Sequence, residues 1–176
     1  MTPTEQPPGT FVRTSVTVKA TREHAFTVFT EHFDTWWPRS HYNGTGELAQ
    51  VVLEPKAGGR WYARGTDGFL GDWGTVLTWD PPARLVLAWQ LDAEFDYNPH
   101  LVTEIEVTFT ELGPHLTLVE LEHRNLDRFG SATNKMRSSF GSDNGWTGIL
   151  RIFAERAKAT DIDHGQPAVR GGLMDG

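Results

Sequence analysis

His123 and Thr103 are the residues whose types and spacing first suggest chemistry. Both lie in runs that alternate apolar and polar residues, 101–110 and 115–123, separated by Glu111-Leu112-Gly113-Pro114. Folding these runs into a hairpin with Thr110 opposite Leu116 sets Val107 against Val119, Ile105 against Leu121 and Thr103 against His123 on one inner face. A buried imidazole must be hydrogen-bonded, and a hydroxyl across the ladder supplies that bond. Such a histidine is most often a satisfied core residue. Its functional role would be a donor or acceptor for a ligand, or a base working near neutrality.

The same register gathers Glu104, Glu106, Glu120 and Glu122 on the opposite face. Carboxylates so placed bind calcium or magnesium, or divide acid and base roles. The commoner outcome is a solvated face whose repulsion is relieved by a cation such as Arg84 or Arg60, and that is the expectation here. The histidines are scattered, with no HExxH spacing, so no metal or cofactor is expected. Asp72 and His100 are a lone acid and a lone histidine near the expected mouth of a pocket, a pattern typical of surface residues. A G-x-S-x-G elbow, a glycine-rich phosphate loop and a G-x-G-x-x-G fingerprint are all missing.

The seven tryptophans among 176 residues are the compositional feature that stands out. They pack a core or line an apolar cavity. The candidate ligand-binding residues are Trp37, Trp61, Trp73, Trp89, Tyr97, Thr103, His123, Trp146 and Phe153, with no catalytic residue assigned.

Several elements must position these side chains. Within 142–159, Trp146, Ile149, Leu150, Phe153, Ala154 and Ala157 form the one-sided stripe of a helix that covers a core. Ser142 or Asp143 is its expected N-cap, Arg156 and Lys158 suit its carboxyl end, and its length is roughly 24 Å. Upstream, 11–20 alternates as a strand, Thr21 caps a helix over 22–33, and Trp36-Trp37 makes a short turn stopped by Pro38. Further strands are expected at 51–54, 59–64, 69–79 and 84–91. The third puts Trp73, Leu77 and Trp79 on one face, and the fourth puts Leu85, Leu87, Trp89 and Leu91 on one face. Residues 92–100, with Phe95 and Tyr97, form a lid-like connection, and 124–141 a polar loop with at most a short helical turn. Residues 1–9 and 160–176 are expected to be tails flanking one domain over 10–159.

Strands grouped between helices imply an α+β fold: a curved antiparallel sheet of about seven strands wrapped around a long C-terminal helix. The absence of cysteine excludes disulfides and thiolate chemistry and suits a cytoplasmic protein. A net charge of -7 without a basic cluster disfavours nucleic acid. No apolar run approaches the ~18 residues of a membrane span, so membrane insertion is not expected.

Several ordered motifs carry a resemblance. Ala25-Phe26, Trp36-Trp37-Pro38, Leu53-Glu54-Pro55-Lys56-Ala57-Gly58-Gly59-Arg60, Trp73-Gly74-Thr75-Val76, Trp79-Asp80-Pro81-Pro82-Ala83-Arg84-Leu85, Thr103-Glu104-Ile105-Glu106-Val107, Leu121-Glu122-His123-Arg124 and Gly145-Trp146 together resemble the SRPBCC (START-like, helix-grip) superfamily. Within it the chain is similar, over 11–159, to homologues of the heat-shock-protein-90 ATPase activator. Pro114-His115 departs from the Gly-Thr often found at that hairpin. The resemblance implies a hydrophobic cavity, in a superfamily spanning lipid carriers, polyketide cyclases and aromatases, hormone receptors and co-chaperones. The expected function is binding of a small hydrophobic or aromatic molecule between sheet and last helix, without catalysis. The alternatives are a cyclase, dehydratase or hydrolase using His123 in the same cavity, and a co-chaperone-like protein-binding module. The expected partner is the small molecule, with a homodimer and a chaperone as further candidates.

Overall fold

The computed structural model describes residues 9–42 and 46–158. The expected tails, apart from Gly9, lie outside the described residues.

Strand β1 (Val12–Val18) is followed by helix α1 (Arg22–Thr30) and the single-turn α2 (Phe33–Trp36). Five strands come next: β2 (Leu48–Leu53), β3 (Arg60–Gly65), β4 (Leu70–Asp80), β5 (Arg84–Trp89) and β6 (Thr103–Gly113). Strand β7 (Leu116–Arg124), a 3₁₀ segment (Leu126–Ala132), α3 (Thr133–Gly141) and α4 (Trp146–Ala157) complete the fold. The seven strands form one curled antiparallel sheet in the order β1-β7-β6-β5-β4-β3-β2. The helices cover its concave face, as the helix-grip expectation requires. No helix among the described residues is long and apolar enough to cross a membrane.

Alternation produces the core. Thr103, Ile105, Val107 and Phe109 of β6 and Thr117, Val119, Leu121 and His123 of β7 are all buried. From α4, Trp146, Ile149, Leu150, Phe153 and Ala157 close over them. Thr21 caps α1 as expected, its hydroxyl accepting from the His24 amide at 3.1 Å.

Four local expectations are corrected. The β6–β7 register is two residues away from the predicted one: Ile105 faces His123, Val107 faces Leu121, and Glu106 faces Glu122. The turn is tighter than predicted, with Gly113 paired to Leu116 and a bulge between Glu111 and Gly113. A slip of two leaves every side chain on its predicted face. In β4, Leu77 was expected inside but is 43% exposed, while Val76 is buried. Irregularities between Trp61 and Tyr62 in the β3 pairing and between Val76 and Thr78 in the β5 pairing break the alternation. One irregularity adjoins Gly74, where an added Cβ would lie 1.8 Å from the Ala88 carbonyl oxygen. Residues 133–141, expected as loop, form α3, which buries Met136 and Phe140. Finally, α4 starts at Trp146 behind Gly145 with no side-chain cap. Its 12 residues span about 18 Å, shorter than expected. Ser142 instead donates to the Ser139 carbonyl and Asp143 pairs with Arg151.

Candidate functional site

The inner ends of β4 and β5, the exit of α2 and the start of α4 converge on a cavity of about 290 Å³. Trp37, Trp73, Trp89 and Trp146 wall it, with Leu91, Phe140 and Ile149. Ser40, His41, Tyr42, Phe95, Ser139, Asn144 and Gly145 complete its lining. The volume is near the lower end of the ~300–1,000 Å³ usual for small-molecule sites.

Neighbouring rings hold the indoles in place. The Trp37 ring centroid is 5.2 Å from that of Trp73 and 6.0 Å from that of Trp146. The Trp37 N–H donates to the His41 carbonyl at 2.8 Å. Trp89 meets Phe140 and Trp146 at 5.5 and 5.9 Å. Its indole nitrogen is buried and has no hydrogen-bond partner among the described residues. Trp61 stands behind this wall, against Trp73 and Trp89 at 5.3 and 5.8 Å, and its N–H donates to the Ala88 carbonyl.

Of the nine expected site residues, Trp37, Trp73, Trp89 and Trp146 line the cavity, and the others do not. Phe153 is fully buried between Phe29 and Trp36. Tyr97 is 43% exposed and bridges to Leu91, whereas Phe95 of the same connection lines the cavity.

Thr103 and His123 are fully buried and meet each other as expected, across a ladder diagonal. The Trp146 N–H donates to His123 Nδ1 at 3.0 Å, so Nδ1 carries no proton. In the neutral ring Nε2 then donates to the Thr103 hydroxyl at 2.8 Å, which donates on to the Trp89 carbonyl at 3.4 Å. Both imidazole nitrogens are therefore engaged within the protein. Burial lowers the imidazole pKa from 6.5 to about 3, keeping it neutral. The chain of bonds fixes Trp146 and the Trp89 backbone from behind.

A different histidine reaches the mouth. His41 Nε2 lies 2.6 Å from the Asn144 carbonyl oxygen, and Nδ1 lies 3.0 Å from Ser40 Oγ. Ser40 is exposed and His41 half-buried. The sequence gives no periodic signal for either, because they sit in a loop beyond Pro38 and meet Asn144 only in the folded chain.

On the convex face Glu104, Glu106 and Glu122 are paired with arginines. Arg124 reaches Glu104 at 3.0 Å and Glu106 at 2.6 Å, Arg84 also bonds Glu106, and Arg13 reaches Glu122 at 3.2 Å. Burial works to raise the Glu106 pKa, but hydrogen bonds from Arg84 and Arg124 outweigh it and hold the carboxyl below its ordinary value. Arg60, expected among these acids, pairs with Asp72 at 2.6 Å. Among the described residues no group of three histidines or carboxylates is placed to hold a metal.

Residues 19–158 match the family model described as Activator of Hsp90 ATPase homolog 1-like protein. Among solved structures, an anthrahydroquino-γ-pyrone synthase, Txn09, is 39% identical with a TM-score of 0.60, over 85% of this chain and 99% of that one. A self-sacrificing resistance protein, CalC from Micromonospora echinospora, is 35% identical with a TM-score of 0.61, over 89% and 97%. A protein from Nitrosomonas europaea, NE0264, shares the fold at 14% identity and a TM-score of 0.63, over 88% and 97%. No curated protein matches the chain.

Proposed function

The chain belongs to the Activator of Hsp90 ATPase homolog 1-like family, and from that premise we propose that it binds a small, flat aromatic molecule in the cavity between the sheet and α4. The observation that carries this reading is the cavity walled by Trp37, Trp73, Trp89 and Trp146. The Trp89 N–H behind this wall has no partner among the described residues, and because folded proteins leave few buried donors unmade, a small shift of the indole toward a ligand oxygen would be favoured. Four indole faces favour a fused-ring partner over an aliphatic chain, because offset and edge contacts between aromatic rings add to the area they bury. The 39% identical relative is named as synthase of an anthrahydroquino-γ-pyrone, a fused aromatic compound, which supports the same ligand class.

Native mass spectrometry of freshly purified protein, with identification of any retained molecule, tests this proposal. It is paired with titration of the tryptophan fluorescence by 1,8-dihydroxyanthraquinone. Saturable quenching that Trp89→Ala weakens is expected. An empty protein whose fluorescence the probe leaves unchanged would refute the binding function.

The second reading, a synthase-type enzyme acting on such a ligand, is favoured by the same relative. It requires turnover, whereas binding alone predicts recovery of the ligand unchanged.

A further inference from the structure

We infer that the Ser40–His41 pair at the cavity mouth is a proton-accepting relay, and that the ligand is a hydroxylated aromatic whose hydroxyl proton it removes. This rests on the proposed ligand site and specifies what the ligand must carry.

The argument begins with Asn144. Its backbone carbonyl can only accept, so at 2.6 Å the His41 Nε2 must carry the proton. In the neutral ring Nδ1 then has its lone pair free, and it faces Ser40 Oγ at 3.0 Å. The serine proton points at Nδ1, leaving the oxygen lone pairs of Ser40 as acceptors. Ser40 and His41 both line the cavity, so an incoming hydroxyl finds an acceptor backed by a base.

The proton balance is simple. The ligand O–H bond breaks, its proton passes to Ser40 Oγ, and the serine proton passes to His41 Nδ1. The ligand becomes an oxyanion and His41 an imidazolium, whose Nε2–H stays on the Asn144 carbonyl. No covalent bond to the protein forms and no co-reactant is needed.

The surroundings favour that charge distribution. The N-terminus of α4 borders the cavity at Gly145 and Trp146 and lacks a side-chain cap, so its free amides present partial positive charge. Trp89, whose buried N–H has no partner among the described residues, forms part of the same wall. Among the described residues no carboxylate bonds the His41 ring: Asp34, nearest before it in sequence, pairs with Arg39, and Asp143, beside Asn144, pairs with Arg151. The ring itself packs against Trp37 at 6.0 Å, which fixes its orientation. His123, with both nitrogens engaged inside the core, is not available for this proton.

The test uses the full chain and 7-hydroxycoumarin, a two-ring phenol whose neutral and ionised forms absorb differently. At a pH about one unit below its solution pKa, roughly a tenth of the free probe is ionised. The bound probe is expected to be more than half ionised, about a fivefold rise. Ser40→Ala leaves the His41–Asn144 bond in place, and His41→Gln removes the base. Both variants are read with the probe saturated by protein, so that any loss of affinity does not enter the readout, and should return the bound probe to about a tenth ionised. A bound probe that stays protonated, or variants that keep the raised ionisation, would overturn the relay while leaving the binding function standing. A probe that fails to bind removes both.

Discussion

His123→Gln, followed across pH, separates a core histidine from a catalytic one. The native imidazole is fully buried and its pKa is lowered from 6.5 to about 3. Below 6.5 the proton therefore binds the unfolded chain in preference to the folded one. The stability this histidine contributes is complete above pH 6.5 and drains away as pH falls toward 3. With those two values, moving from pH 7.5 to pH 5 costs about 2 kcal/mol through this residue alone. That is roughly 4–8 °C in melting temperature for a domain of this size. Glu106, held below its ordinary value by Arg84 and Arg124, acts in the same direction but at more acid pH, outside this window. Urea unfolding at pH 7.5, 6.5, 5.5 and 5 would measure the slope. The glutamine variant should be less stable at pH 7.5, by about 1–3 kcal/mol for the disturbed bonds to Trp146 and Thr103, and nearly flat down to pH 5. A variant that keeps the parent's slope would refute the reasoning, because some other group would then be taking up the proton.

Two further outcomes can be checked with the same unfolding assay. Gly74→Ala should destabilise by about 2–4 kcal/mol, since its Cβ would lie 1.8 Å from the Ala88 carbonyl and 2.7 Å from the Trp61 nitrogen; a melt within 2 °C of the parent would contradict the close approach. Trp89→Phe keeps a ring on the cavity wall while deleting the unpartnered N–H, so stability should hold within about 1 kcal/mol while affinity for an oxygen-bearing aromatic probe falls about tenfold; unchanged affinity would show that the indole N–H does not meet the ligand.

The fold was largely legible because periodicity reports burial. The strands carrying Leu85, Leu87 and Trp89, or Ile105 and Val107, alternate cleanly, and the stripe of α4 is long enough to leave one reading. Legibility failed where the backbone departs from regular geometry. Leu77 was misplaced because the irregularities where β4 pairs with β3 and with β5 break the alternation, turning Val76 inward and Leu77 outward, which composition does not announce. Helix α3 escaped because Met136 and Phe140 are its only buried residues and Thr, Asn and Ser fill much of the rest. For the site, the same limit applies with more force. The tryptophans could be named as a set, but which of them line the cavity depends on depth: Trp61 and Trp73 share a wall, yet only Trp73 lines the cavity. Ser40, His41 and Asn144 could not be found at all, since 103 residues separate His41 from its carbonyl partner.

The two histidines illustrate how one side chain takes opposite roles in a single fold. His123 accepts a hydrogen bond from the Trp146 N–H and donates one to the Thr103 hydroxyl, so its neutral form is fully satisfied and an added proton would break a bond and bring charge into the core. His41 donates a hydrogen bond to a carbonyl and accepts one from a serine at the surface, and a proton on Nδ1 could still be donated to the serine oxygen. The inner residue therefore resists protonation. Both also hold tryptophans of the same cavity: His123 holds Trp146 through its indole N–H, and the His41 carbonyl holds Trp37. The aromatic walls therefore rest on an imidazole whose two nitrogens are both engaged inside the protein, whereas the imidazole at the mouth bonds a serine that itself lines the cavity.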